Sequence, residues 1–427
     1  MGKEDQAGEK TMNILFLNYE FPPLGGGASP VSYEIAKGYV KLGHNVDVIT
    51  MGFKDLPSYE VKEGIRIYRV RCMRSRKEIC HPWEQLSYIH HAKSLIKSMM
   101  VFAKDGKLWD ICHCHFIIPT GVIALWLKER YGIPYVISSH GADVLGYNKR
   151  FKFLYPLLKG RWNRIVYEAE KTFFPSQFLM SKAIEHLPEY FNYGNLQVLP
   201  HGIDASKFKP KSKANTILIV ARLFENKGVQ DIINAFWLVR DDLLNYDEIN
   251  IVGDGPYREA LEEQLERYTK MQDNNDDIFF LKDIIKFHGW LDRDSRKMKE
   301  LYARARIFIS ASYFESFGMT VLEALAAKCI PILSDIESHK SILRKSILGS
   351  IQGNDSNFFE LANVQDLARR IGQAIKGNLP IIPLSKDFAW PNIVKKYESV
   401  LKEGMKMDYK QDYMVINEIR QEVTEHD

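Results

Sequence analysis

The chain has 427 residues and a formal net charge of +4, and it is 45% hydrophobic and 26% charged. This length exceeds what one core usually serves, so two domains are expected, and the near-neutral charge argues against a nucleic-acid partner. Five cysteines without a C-x-x-C pair argue against a disulfide framework and favour a reducing compartment. The sequence contains no run of about 18 apolar residues, so no membrane-spanning segment is predicted. Residues 1–11, polar and acidic, are predicted to be a disordered head rather than a secretory signal.

The first predicted strand leads into a glycine-rich loop. Residues 13–18 (NILFLN) are an apolar run typical of a strand, and an amphipathic helix ends near residue 42. Between them, Gly25, Gly26 and Gly27 let the backbone approach a ligand closely, and the helix can place its N-terminus there. A plain flexible loop is the alternative. The absence of a G-x-G-x-x-G fingerprint argues against a dehydrogenase.

Two strands that carry histidines follow. Residues 110–116 (DICHCHF) suggest a metal site, but a strand directs its cysteines to one face and its histidines to the other, so all four cannot meet one zinc ion. A buried strand with His115 at its end is predicted instead. Residues 134–139 form the next strand, which runs into the segment H-G-A-D that begins at His140. This position suits a site, although a structural His140 and a helix-capping Asp143 remain alternatives.

The strongest charge feature is the stretch from 147 to 164, YNKRFKFLYPLLKGRWNR, which contains no acid and mixes cations with aromatic residues. This composition suits an anionic membrane surface or a lipid-phosphate acceptor and is also compatible with nucleic acid, and a solvated helix face is the alternative. The residues predicted for this membrane or acceptor surface are Lys149, Arg150, Lys152 and Arg161.

The second half begins after a linker. Residues 200–204 (PHGID) and the polar segment that follows are the best linker candidate. Residues 216–220 (TILIV) predict a strand, and Arg222 and Lys227 lie at the two ends of the loop that joins it to a helix. Both cations can converge on one diphosphate, with the helix start adding N–H donors. Two unrelated surface cations are the alternative.

The segments that flank the remaining strands are mostly polar. Residues 267–280 are predicted to be a polar surface excursion between a helix and a strand. Residues 286–290 (KFHGW) predict a strand end, and residues 388–403 an amphipathic helix followed by a charged, loose tail.

Residues 306–335 predict a strand, a loop, a helix and a second strand. The helix that begins at Met319 offers unpaired backbone N–H groups to an anion. The residues that present these groups are Phe317, Gly318, Met319 and Thr320. Glu315 precedes the helix and Glu323 lies inside it, and carboxylates so close to an anion site are expected to accept hydrogen bonds from sugar and ribose hydroxyls. The pattern favours a sugar nucleotide, with two surface glutamates as the alternative.

The string E-S-F-G-M-T-V-L-E-A, from Glu315 onward, resembles the E-x7-E signature of the family-4 retaining glycosyltransferases of the GT-B architecture. The segment A-R-L-F-E-N-K-G from Ala221 is similar to their G-R-x4-K-G, and H-G-A-D from His140 to their H-G-x-D. The family has Asn where His201 stands and often Gly-Gly where residues 336–339 read I-E-S-H. The resemblance covers about residues 12–404.

The resemblance implies an α/β fold, GT-B, with two doubly wound Rossmann-like domains facing across a cleft. An acceptor-side domain over 12–203 is followed by a nucleotide-sugar domain over 204–386. A helix over 387–405 crosses back to the first domain, and 406–427 is a charged tail.

The resemblance also implies roles for individual residues. His140 contacts the donor sugar near the reaction centre, and Glu315 orients its hydroxyls, so these two are the expected catalytic residues. The expected donor-binding residues are Gly26, Gly27, Arg222, Lys227, Phe317, Gly318, Met319, Thr320 and Glu323, of which Glu323 holds the ribose. No metal and no other cofactor are expected.

The expected function is retaining transfer of a sugar from a UDP- or GDP-linked donor to a hydroxyl of a lipid-linked or saccharide acceptor, in glycan biosynthesis. The enzyme is expected in the cytoplasm, either free or as a peripheral protein on the cytoplasmic face of a membrane, with no nucleic-acid partner. The alternatives are a non-catalytic sugar-nucleotide-binding protein and another GT-B enzyme, an epimerase or a glucan synthase.

Overall fold

The computed structural model describes residues 10–77, 80–103, 106–147, 155–189, 191, 193–272, 281–347 and 355–405. Two compact units divide the chain. The first unit comprises the residues up to Pro175, Leu179–Pro200 and those from Trp390 onward, and the second comprises Ser176–Phe178 and His201–Ala389.

The second unit therefore extends beyond the predicted 204–386 at both ends. The reason is a contact between those ends: the N–H of Ile203 donates to the carbonyl of Phe388 at 2.7 Å, and Ile203 forms an isolated bridge with Ala389.

In its described residues the first unit contains one eight-stranded sheet, in the order β3-β4-β2-β1-β5-β6-β7-β8, which is parallel except for β3. Its strands are β1 (Asn13–Leu17), β2 (Asn45–Met51), β3 (Tyr59–Lys62), β4 (Ile65–Val70), β5 (Ile111–His115), β6 (Tyr135–Ser138), β7 (Lys171–Phe174) and β8 (Leu196–Val198). The helices between them are α1 (Ala28–Lys41), α2 (Pro82–Met100), α3 (Thr120–Tyr131), α4 (Tyr155–Tyr167) and α5 (Gln177–Ile184).

In its described residues the second unit contains a parallel six-stranded sheet in the order β11-β10-β9-β12-β13-β14. Its strands are β9 (Thr216–Val220), β10 (Glu248–Val252), β11 (Ile285–Phe287), β12 (Ile307–Ser310), β13 (Ile330–Ser334) and β14 (Phe358–Phe359). Its helices are α6 (Val229–Leu238), α7 (Arg258–Gln272), α8 (Leu281–Ile284), α9 (Arg296–Arg304), α10 (Met319–Ala326), α11 (Glu337–Ile347) and α12 (Val364–Ile375), and α13 (Trp390–Gly404) then belongs to the first unit.

Both sheets are doubly wound, because in each one the strand order changes direction. The change falls between β1 and β5 in the first unit and between β9 and β12 in the second. Open α/β sheets bind ligands outside the carboxyl ends of the strands at such switch points. A ligand-binding site is therefore expected in the loops after these four strands.

One local prediction was wrong. Residues 267–280 were expected to form a polar excursion, but α7 continues to Gln272, and residues 273–280 lie outside the described part of the chain. The helix persists because Tyr268, at helical spacing from the buried Leu261 and Leu265, stacks on Trp237 with ring centroids 4.6 Å apart. Its charged residues occupy only the outer face.

None of the described helices combines the length and the apolar character that crossing a membrane requires.

Candidate functional site

The second unit brings the loops after β9 and β12 together at its switch point. The N–H of Tyr313 donates to the carbonyl of Asn226 at 2.9 Å, which ties the two loops. Gly228, in the left-handed region at φ +66°, lies so close that a Cβ there would be 2.1 Å from the Ala311 carbonyl oxygen. Only glycine allows this backbone approach.

Lys227 and Glu315 meet within this pair of loops. The Lys227 Nζ lies 2.6 Å from Oε1 of Glu315, and the Ser312 hydroxyl donates to the same oxygen at 2.8 Å. Burial by itself raises the pKa of Glu315, but Lys227, together with His339 and the Ser312 hydroxyl, holds that pKa below its ordinary value. The carboxylate is therefore ionised and able to accept hydroxyl donors.

Arg222 does not join this pair. Its side chain is exposed, and its guanidinium lies over the ring of Phe224, 5.6 Å from the centroid. Among the described residues no acid forms an ion pair with Arg222. The two cations predicted to converge on a diphosphate thus differ: Lys227 is neutralised by a glutamate, and Arg222 keeps its charge exposed.

The start of α10 lies at the end of the same loop. Gly318 is the N-cap, with φ +109°, and no side chain caps the helix. The N–H groups of Met319 and Thr320 are the first two of the helix, so they are among those that no intrahelical carbonyl satisfies. Phe317 is buried, with its ring 5.1 Å from that of His201.

Glu323 lies apart from Glu315 and has a different partner. Its side chain is 5% exposed, and its carboxylate accepts a hydrogen bond from Nε of Arg293 at 2.5 Å. Burial lowers the pKa of Arg293, but the Glu323 carboxylate raises it further, above its ordinary value. Sequence reasoning missed Arg293, because an arginine between two aspartates in a loop has nothing to distinguish it.

His339 is a second residue that sequence reasoning did not single out. It lies in the segment 336–339, where the family often has Gly-Gly, and its side chain is fully buried. Its Nδ1 lies 3.0 Å from the Ser334 carbonyl, at the end of β13. Burial lowers the pKa of His339 while the Glu315 carboxylate raises it, and the net direction is downward.

The glycine loop lies at the switch point of the first unit, between β1 and α1. Gly25 is the strained position, at φ +93°, and Gly27 caps α1 with ordinary helical angles. A Cβ on Gly26 or Gly27 would meet none of the described atoms within 4 Å. The protein's own packing therefore does not require glycine at Gly26 and Gly27.

His140 and His115 are in contact in the first unit. His115 ends β5, and its Nδ1 lies 2.8 Å from Nε2 of His140, so one ring donates to the other. Asp143 holds the turn: Oδ1 accepts the N–H groups of His140 and Gly141 at 3.0 Å, and Oδ2 accepts that of Ile117 at 2.8 Å. Asp143 thus fixes the loop that carries His140 instead of capping a helix.

Residues 111–115 form β5, and all five are buried. His113 lies between the Tyr39 hydroxyl at 3.0 Å and the Ser138 hydroxyl at 2.8 Å, and burial lowers its pKa to about 3. No group of three or more potential metal ligands occurs in the described residues.

Of the residues predicted for a membrane or acceptor surface, only Arg161 is described, exposed on α4. Lys149, Arg150 and Lys152 lie outside the described residues.

Comparisons with known proteins agree on one class. A family model described as "Glycosyl transferases group 1" matches residues 203–389, and one described as "Glycosyltransferase Family 4" matches residues 25–207. The chain is 26% identical over 368 residues to an uncharacterized glycosyltransferase of Methanocaldococcus jannaschii, covering 79% of this chain and 84% of that protein. It is 25% identical over 335 residues to alpha-monoglucosyldiacylglycerol synthase of Streptococcus pneumoniae, covering 73% and 68%.

The fold is also that of solved glycosyltransferases. Sucrose-phosphate synthase from Thermosynechococcus elongatus superposes with a TM-score of 0.63 at 15% identity, covering 97% of this chain and 100% of that one. With its two Rossmann-like units, the chain has the GT-B fold, as expected from the sequence.

Proposed function

The chain belongs to the group 1 glycosyltransferases of family 4, and from that premise we propose that it moves a sugar from a nucleotide diphosphate sugar to a hydroxyl with retention at the anomeric carbon. UDP- and GDP-linked sugars are the proposed donors. The acceptor is a lipid-linked or saccharide hydroxyl, and the similarity to the relative named alpha-monoglucosyldiacylglycerol synthase supports the lipid option.

The observation that carries this proposal is the grouping at the switch point of the second unit. A cationic loop, an ionised glutamate and an uncapped helix start meet there, and each has a counterpart on a sugar nucleotide. The exposed charge of Arg222 and the N–H groups at the start of α10 suit the diphosphate. The Glu315 carboxylate suits the sugar hydroxyls, and Glu323 suits the ribose.

The chemistry follows from where charge develops. As the bond between the anomeric carbon and the phosphate oxygen breaks, negative charge builds on the leaving diphosphate, and Arg222, Lys227 and the helix start stabilise it. The sugar becomes oxocarbenium-like, with Glu315 orienting its hydroxyls and His140 contacting it. We propose that the leaving phosphate takes the acceptor proton on the same face, so that neither a protein nucleophile nor a metal ion is needed.

Two further features belong to the proposal and rest on sequence. The mixture of cations and aromatic residues over 147–164 favours attachment to an anionic membrane surface from the cytoplasmic side. Glycan biosynthesis is the corresponding physiological role.

The first experiment is thermal unfolding of the full chain with UDP, GDP, ADP and their sugar conjugates. A nucleotide at about a hundred times its dissociation constant stabilises by roughly 2.7 kcal/mol, which is a shift of several degrees for a domain of this size. One nucleotide that shifts the midpoint names the donor base. The absence of any shift would contradict the donor assignment.

The alternatives give different outcomes in a turnover assay with the donor so identified. A non-catalytic binding protein would bind the donor without consuming it across a range of acceptors. A glucan synthase would extend a saccharide acceptor by repeated additions, and an epimerase would change the donor sugar without any acceptor.

A further inference from the structure

Arg293 forms an ion pair with Glu323, a proposed donor residue of the second unit. The Glu323 side chain is 5% exposed and that of Arg293 is 30% exposed, so solvent is largely excluded from the Glu323 side of the pair. A buried carboxylate without a partner would be strongly unfavourable, because it loses its hydration. The Arg293 charge at 2.5 Å balances it.

Arg293 is held by a hydrogen-bonded turn. The Asp292 side chain accepts the N–H of Asp294 at 2.8 Å, and its carbonyl accepts the N–H of Ser295 at 3.1 Å. Ser295 in turn caps α9 by accepting the N–H of Met298 at 3.2 Å. The backbone on both sides of Arg293 is thus fixed before any ligand binds.

Glu323 is equally fixed, because it lies inside α10 and its backbone is part of the helix. A carboxylate has about four acceptor positions; the Nε of Arg293 uses one of them, and the buried Tyr302 hydroxyl also faces the Glu323 carboxylate. The remaining positions can accept hydroxyl hydrogens. Two groups on rigid elements therefore define one orientation of a carboxylate, which is what recognition of a pair of neighbouring hydroxyls requires.

We propose that Arg293 is a positioning residue for nucleotide binding: its guanidinium holds the Glu323 carboxylate in the orientation that accepts the ribose hydroxyls of the donor. The inference rests on the proposed function, since it assigns Glu323 to the ribose. It makes Arg293 a determinant of discrimination between ribose and sugars that lack these hydroxyls, without direct contact with the reacting atoms.

The test is a comparison of two ligands on matched variants of the full chain. Isothermal titration calorimetry measures the Kd of whichever of UDP, GDP and ADP binds the wild type most tightly, and that of its 2′,3′-dideoxy analogue. Both ligands keep the base and the diphosphate, so the ratio of their two Kd values reports the contact with the ribose hydroxyls alone. Hydrogen bonds to a charged acceptor lead us to expect a wild-type preference for the ribonucleotide of about tenfold or more.

Arg293→Ala is expected to weaken the ribonucleotide and to leave the dideoxy analogue nearly unchanged, so that the ratio falls towards one, as it should in Glu323→Gln. Arg369→Ala is the control, because Arg369 also pairs with an acid in the second unit, Asp366 on α12, and should keep both affinities. Should Arg293→Ala fail to fold, Arg293→Lys retains the charge but not the Nε contact, and the same comparison applies.

Equal weakening of both ligands in Arg293→Ala, or no weakening of either, would overturn the role of Arg293 while leaving the donor site standing. Failure of every nucleotide to bind the wild type would overturn the proposed function together with this inference.

Discussion

Lys227 and Glu315 lie 88 positions apart in the chain and 2.6 Å apart in the structure. This contact gives the two cations on the loop after β9, Lys227 and Arg222, different roles at a bound diphosphate. Because Lys227 is neutralised by Glu315, its field at a bound diphosphate is weaker than that of an unpaired cation. Arg222 keeps its full charge and can bind phosphate oxygens through two parallel hydrogen bonds, so it should contribute more to stabilising the leaving group.

We therefore expect Arg222→Ala to lower kcat/KM roughly 30- to 1,000-fold, which corresponds to a loss of about 2–4 kcal/mol of transition-state stabilisation. Steady-state kinetics with the donor found by thermal unfolding measures this, and Arg369→Ala serves as the control for loss of a surface cation. An undiminished rate in Arg222→Ala would remove Arg222 from the donor site.

His201 stands where the family has Asn, and it is buried against Phe317. Burial, assisted by the charge of Arg293, lowers the pKa of His201 to about 3. The imidazole is then neutral when folded, while in the unfolded chain it binds a proton below about pH 6.5. Its contribution to stability is present above the unfolded pKa and is lost as pH falls towards the folded pKa.

We expect the wild type to lose about 2–3 kcal/mol of unfolding free energy through His201 between about pH 7 and pH 4.5, and His201→Asn to avoid that loss. Urea unfolding of both proteins at several pH values in this range measures the difference. Parallel pH profiles would contradict a buried neutral His201.

At the scale of elements, α13 follows the second unit in sequence but packs on α1 of the first. A Cβ on Gly38 would lie 2.4 Å from Cγ2 of Val394, so the two helices meet at a point with no room for a methyl group. The buried pair of His44 and Glu398, 2.9 Å apart, provides a second contact between α13 and the rest of the unit.

Two glycine substitutions on helices of the first unit should have opposite effects. Gly38→Ala should destabilise by about 1–3 kcal/mol, because the added methyl group overlaps Val394. Gly160→Ala, on α4, meets no described atom within 4 Å and should stabilise by up to about 1 kcal/mol through helix propensity. Thermal midpoints of both variants provide the comparison, and a stabilising Gly38→Ala would show that α1 and α13 do not pack this way. Adding Val394→Ala to Gly38→Ala should recover part of the loss.

The order of the strands in each sheet explains why the predicted residues fall into two groups. His115 and His140 end or follow adjacent strands of the first sheet, and the loops with Lys227 and Glu315 follow adjacent strands of the second. Adjacent parallel strands end at the same edge of a sheet, so the loops after them meet.

At the scale of the whole molecule, surface charge is the feature with a direct test. Lys and Arg near an anionic membrane each contribute about 1 kcal/mol to binding, so reversing three charges should weaken attachment at least about a hundredfold. We expect Lys149→Glu, Arg150→Glu and Arg161→Glu together to abolish sedimentation with vesicles containing anionic phospholipid. The thermal shift by the nucleotide should persist in this variant. Unchanged sedimentation would contradict the membrane surface.

The secondary structure of individual segments could be predicted because it depends on residues that are neighbours in the sequence. The run TILIV became β9 with the same bounds, and the helix after Gly318 begins at Met319 as expected. An apolar run favours a strand, a glycine breaks it and a Leu/Ala/Glu segment favours a helix, whatever the rest of the chain does. The E-x7-E string likewise carried the family assignment by itself.

Pairings between distant residues were decided only by the tertiary structure. Spacing along the chain does not reveal that Arg293 reaches Glu323, that His115 reaches His140, or that Asp143 clamps a loop instead of capping a helix. These contacts depend on which strands become neighbours and in what register. That order is set by the burial of whole helices and sheets, which no short stretch of sequence contains.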